Sequence, residues 1–216
     1  MYYKLVFNMD KIDKVLNTDQ YPIYAGVSNL EEIKYRDIKQ GWFVHVLTEM
    51  KGEEIKDWPL VDFYYASDVS IVESENLLNI DDWPIIHASV MEEFKKKHIE
   101  GIQYLPIRLV DTVTHKVNHN YYVMNILNWI DPIDMKKSEY EYDEEYNFYS
   151  FLPPKTYFLE EKCKEYDIFK CTKMPIGIYV SDKIKKIFDD NNWDWFLLRK
   201  QKMVKAKEKG AIDLER

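Results

Sequence analysis

Apolar and polar positions recur along this chain with the periods of strands and helices. "YYKLVF" (Tyr2 to Phe7) opens with aromatic and branched residues and predicts a strand. The polar "NMDKIDKVLNTDQ" follows, with Ile12, Val15 and Leu16 on one helical face. Between residues 40 and 72, "WFVHVL" and "LVDFYY" read as short strands. The clearest helix signal is "HASVMEEFKKKHIEG". There Ser89 is the predicted N-cap, Glu92 completes a capping box, and Lys95, Lys96, Lys97 and His98 suit the negative end of the dipole. Val90, Met91 and Phe94 form the apolar stripe, and Gly101 is expected to close the helix in the left-handed conformation. "IQYLPIRLV" (Ile102 to Val110) and "YYVMNIL" (Tyr121 to Leu127) then predict two strands joined by the polar "DTVTHKVNHN".

The same grammar returns near the end. Ile176 to Val180 predicts a strand, Ser181 a cap, Ile184, Ile187 and Phe188 a helical stripe, and Trp193 the start of another strand. Ser89 to Gly101 and Ser181 to Trp193 span equal lengths, which leaves two readings open, a structural echo and a true duplication. The expected class is α+β, a mostly antiparallel sheet with a few Ser-capped helices. Residues 1–80 form the β-rich N-terminal portion of one domain, residues 81–198 its α+β core, and residues 199–216 a charged tail.

Charge narrows the partners. The net charge is −8, and because residues 199–216 are basic, the body before them is more acidic still. A duplex backbone would repel such a surface, so nucleic acid is not an expected partner. Neither a basic, apolar leader nor a run of 18 apolar residues occurs, so the reading is a cytoplasmic protein without a membrane partner. Cys163 and Cys171 fit neither a redox pair nor a zinc pattern and are expected as reduced thiols.

Candidate chemistry is thin. No two of the six glycines form a G-x-G pair, so neither a dinucleotide fingerprint nor a phosphate loop can be built. His115 and His119 are four apart and, with Asp111, could meet a metal, but they fall in the hairpin loop, where that spacing no longer aligns the rings. His45 and His87 read as core hydrogen-bonding groups and His98 as a helix-terminal charge. Asp131 and Asp134 supply carboxylates, yet crowded acids resist the distinct environments that acid and base catalysis needs. No enzyme activity, metal or cofactor is expected.

What stands out is "SEYEYDEEYNFY" (Ser138 to Tyr149), with five carboxylates, four tyrosines and no Lys or Arg. Tyrosine offers contact area at small entropy cost, and carboxylates steer basic partners. The candidate partner-binding surface is Glu139, Tyr140, Glu141, Tyr142, Asp143, Glu144, Glu145 and Tyr146. A solvated loop is the plain alternative.

The order of the pieces resembles an immunity-protein family of bacterial polymorphic-toxin systems. Leu105 and Pro106, Tyr122, Asn125, Asp134, Ser138, Phe169 and Ser181 stand where that family shows its strand, turn and cap positions, over residues 85–197. Trp193 and Trp195 depart from it, occupying a region where the family often has glycine. The resemblance implies an α+β protein that binds a cognate toxin domain, basic if it acts on nucleic acid, and blocks it by occupancy. A different defence or regulatory adaptor and a small metal-dependent hydrolase are the rival readings.

Overall fold

The computed structural model of the chain describes residues 1–8, 10–11, 20–22, 27–28, 52–56, 58, 61–65, 70–72, 75–77, 83–152 and 154–205. The predicted face of Ile12, Val15 and Leu16, the "WFVHVL" strand, His45 and residues 206–216 lie outside them.

A five-stranded sheet runs in the order β11 (Trp129–Ile130), β15 (Ile168–Cys171), β16 (Met174–Ser181), β1 (Tyr2–Phe7), β17 (Phe196–Lys200). The larger sheet runs β3 (Val27–Ser28), β4 (Val61–Tyr65), β8 (Ile102–Asp111), β10 (Tyr121–Ile126), β7 (Ile85–His87), β6 (Asn76–Leu77), with β9 (Val117–Asn118) paired to β8. Among the described residues there are also three two-stranded pieces: β2 (Gln20–Pro22) with β5 (Ser70–Val72), β12 (Tyr140–Asp143) with β13 (Phe148–Phe151), and β14 (Tyr157–Leu159) with β18 (Lys202–Val204). Most pairs are antiparallel, as α+β patterning predicts, but β4–β8, β11–β15, β14–β18 and β2–β5 are parallel.

Three helices, α1 (Ala88–Lys96), α2 (Glu160–Cys163) and α3 (Asp182–Asn191), are described. The sequence echo is a geometric one. β7 and β8 both pair antiparallel with β10, so they run parallel with one strand between them, and α1 joins them. β16 and β17 likewise flank β1 and are joined by α3. Each is a split β-α-β unit. The middle strand follows its unit in one case and precedes it in the other.

The helices meet between the sheets. Phe94 of α1 and Phe188 of α3 stand 6.3 Å apart, and Ile86, Val90, Met124 and Ile126 join Tyr3, Ile178, Val180, Ile184, Ile187 and Phe196 in one buried core. Fully burying each such side chain is worth about 1.5–3 kcal/mol before entropy is charged. Strand alternation builds a second core on the other face of the five-stranded sheet. Tyr3 and Ile168 face the helices, whereas Tyr2 and Phe169 turn the other way to pack with Ile133, Phe151, Phe158 and Tyr179.

Both helix ends correct the sequence reading in part. The N-cap of α1 is His87, whose Nδ1 accepts from the Ser89 backbone N–H at 3.2 Å, and Ser89 lies inside the helix. The imidazole can serve because β7 delivers it in extended conformation at the helix mouth. Ser181 does cap α3, accepting from the Lys183 N–H at 3.2 Å. Left-handed residues close both helices, but they are His98 (φ 52) and Asn192 (φ 54). Gly101 is also left-handed (φ 80), and its need is close approach, since a Cβ there would stand 1.9 Å from the Asn128 amide nitrogen. Asn128 uses that amide to donate to the Ile168 carbonyl at 3.0 Å, which ties the two sheets together. At the basic C-terminal segment, Arg199 and Lys200 belong to β17 and Lys202–Val204 is β18.

Candidate functional site

The acidic, tyrosine-rich stretch forms a hairpin. Tyr140 pairs with Phe151, Glu141 with Ser150, Tyr142 with Tyr149, and Asp143 with Phe148. Its turn is built by Asp143, whose Oδ1 accepts from the backbone N–H groups of Glu145 (3.0 Å) and Tyr146 (3.1 Å). Asn147 supplies the left-handed residue (φ 48), and its Oδ1 accepts from the Tyr142 hydroxyl at 2.8 Å. The base is held by Ser138, whose buried Oγ accepts from the Tyr157 N–H at 3.0 Å, and by the Asp134 carboxylate, which caps the turn through the N–H of Lys136 at 3.0 Å.

Directly opposed residues share a face, so the pairing sorts the hairpin's chemistry. Tyr140, Tyr142, Tyr149 and Phe151 form one aromatic face, with Tyr142 and Tyr149 centroids 4.6 Å apart. Glu141, Asp143, Ser150 and Phe148 occupy the other. Phe151 roots the aromatic face in the second core, while Tyr142 is 45% exposed, Phe148 52% and Tyr146, in the turn, 73%. All eight residues expected as a binding surface are exposed on this one hairpin. Glu139 pairs with Lys155 at 2.6 Å, and Glu141, Asp143, Glu144 and Glu145 make no ion pair among the described residues. The opposing strand adds Phe148 and Tyr149, which a reading of the acidic run alone omits. The signal for them was the alternation on either side of the Asp143–Asn147 turn.

The other carboxylate candidates, Asp111 and Asp131, are held in local contacts. Asp111 is buried, and its carboxylate accepts from the Val113 N–H at 2.9 Å and from the Thr114 hydroxyl, while His115 and His119 are exposed, His115 in a left-handed turn (φ 59). Asp131 pairs with Lys173. Cys163 and Cys171 are free and buried, and burial pushes their thiols up to about 12 and about 11, which makes them poor nucleophiles. No described helix is long and apolar enough to cross a membrane.

Residues 35–203 match the sequence profile of the immunity protein family Imm11. The chain belongs to the Imm11 immunity protein family. No curated protein sequence matches it. Five of the positions that carried the sequence resemblance, Asn125, Asp134, Ser138, Phe169 and Ser181, are framework positions of this Imm11 protein. Asn125 is buried and donates to the Glu53 carbonyl (3.0 Å) and Gln103 Oε1 (2.9 Å). Asp134 and Ser138 set the foot of the hairpin, Phe169 fills the second core, and Ser181 caps α3. The tryptophans that depart from the pattern are also packed: Trp193 meets Phe188 edge-on at 5.6 Å, and buried Trp195 donates its backbone N–H to the Glu75 carboxylate.

Proposed function

We propose that this Imm11 protein neutralises a cognate toxin domain in the cytoplasm of the producing bacterium by stoichiometric occlusion, with the β12–β13 hairpin as its docking surface. The observation that carries the reading is the pairing of exposed rings with uncompensated carboxylates on a hairpin rooted in the core. Exposed apolar area of this kind marks an interaction surface, and carboxylates left without cations accelerate encounter with a basic partner. Family membership supports a protective role, and occupancy accounts for it without calling on the buried thiols or the turn-committed Asp111.

The test pairs this chain with the toxin encoded beside it. Reversing Glu141, Glu144 and Glu145 to Lys should slow association about tenfold or more and abolish rescue of toxin-expressing cells. Full rescue and an unchanged association rate would remove the hairpin from the docking surface.

A further inference from the structure

At the foot of the hairpin, beside the second core on the five-stranded sheet, lies a cavity of about 400 Å³. Val6, Tyr179, Lys4, Arg199, Lys200 and Lys202 are among the residues that line it. None of these four cations has a carboxylate within ion-pair distance among the described residues, and together they place four positive charges around one cavity. A second observation points to a ligand: Thr156, 5% exposed, lines the same cavity, and its hydroxyl is buried without a hydrogen-bond partner. A buried hydroxyl in that state costs about 1–3 kcal/mol until an acceptor arrives.

We propose that this pocket receives the acidic hairpin of a second copy of the chain, so that the protein rests as a reciprocal dimer. The complement is on the molecule itself. Glu141, Asp143, Glu144 and Glu145 lack cations where Lys4, Arg199, Lys200 and Lys202 lack anions, and the exposed ring of Phe148, on the same hairpin face as Glu141 and Asp143, matches the apolar lining of Val6 and Tyr179. A basic toxin would be repelled from this pocket, which favours the hairpin over the toxin as its occupant. Phe151 ends the hairpin and Pro154 lines the cavity three residues later, so donor and acceptor surfaces are neighbours. Two copies can therefore exchange hairpins about one two-fold axis and close without leaving a free end. The inference deepens the proposed function by adding regulation to its surface, because the dimer masks the hairpin until toxin displaces the second copy.

Sedimentation of the full chain at about 100 μM, where a micromolar dimer is populated, tests this directly. The expected mass is twice 26.1 kDa. Glu141→Lys with Glu144→Lys, and separately Arg199→Glu with Lys200→Glu, should each weaken association at least tenfold, with folding checked by circular dichroism. Mixing the two variants should restore a heterodimer, since each hairpin then meets a pocket of opposite charge. If the Arg199 and Lys200 variant fails to fold, Lys200→Glu with Lys202→Glu takes its place. A wild-type mass of 26.1 kDa, or a dimer that survives both reversals, overturns the proposal. A charge-dependent dimer whose triple reversal still protects cells would keep the dimer and discard the hairpin as the toxin site.

Discussion

The two split β-α-β units share a plan and differ in how they complete it. Both place a helix of about two and a half turns over a pair of parallel strands, and both end it on a left-handed residue. The first unit is capped by an imidazole from the preceding strand, the second by a serine hydroxyl. The strands under α1 contribute Ile86, Met124 and Ile126, whereas the sheet under α3 places Lys170 on the same side as Ile168 and Ile178. The shared features are those that packing demands: two helices that bury a stripe against each other. The differences fall where several chemistries meet the same need.

The largest effect is expected where the units depend on one another. Phe188 is 2% exposed and touches the rings of Phe94, Trp193 and Phe196. Phe188→Ala should lower unfolding free energy by about 3–5 kcal/mol in urea denaturation. A cost below about 1 kcal/mol would mean that the units are not joined through this contact.

Lys170 tests the difference between the two sheets. It is 6% exposed, with its Nζ 5.4 Å from the Trp129 ring, and burial pulls its amine down to about 8 from the ordinary 10.5. The unfolded chain therefore holds that proton more tightly than the folded one, and stability should rise with pH between about 8 and 10.5. The penalty is complete below pH 8 and absent above 10.5. Lys170→Met should stabilise the fold by up to about 3 kcal/mol at pH 7, with the gain vanishing at high pH. An equal gain at both extremes would assign the effect to packing instead.

The units were legible in the sequence because helical stripes such as Val90 and Phe94, or Ile184, Ile187 and Phe188, repeat with the period of their burial. So was the hairpin's exposure, since crowded carboxylates resist desolvation. Its sorting into an aromatic and an acidic face was hidden, because register depends on a turn set by Asp143 and Asn147 rather than on the run of residue types. Long-range pairing was hidden for the same reason. Nothing local says that Tyr2–Phe7 inserts between β16 and β17, or that Lys202–Val204, in the segment read as a charged tail, pairs with Tyr157–Leu159.

The caps give the smallest and sharpest comparison, because the two serines look alike in sequence and do different work. Ser181 Oγ accepts from the Lys183 N–H and donates to Asp167 at 2.7 Å, so Ser181→Ala should cost about 1–2 kcal/mol. Ser89 offers only its backbone N–H to the cap and a hydroxyl 2.9 Å from His87 Nδ1, so Ser89→Ala should cost less than about 0.5 kcal/mol. His87→Ala, not Ser89→Ala, should reproduce the Ser181 loss at the other helix. Side-by-side denaturation of the three variants decides it: equal losses for the two serines would return the cap of α1 to Ser89. A loss confined to His87 and Ser181 would establish that one structural plan is closed by two different side chains, selected by what each preceding strand delivers to the helix mouth.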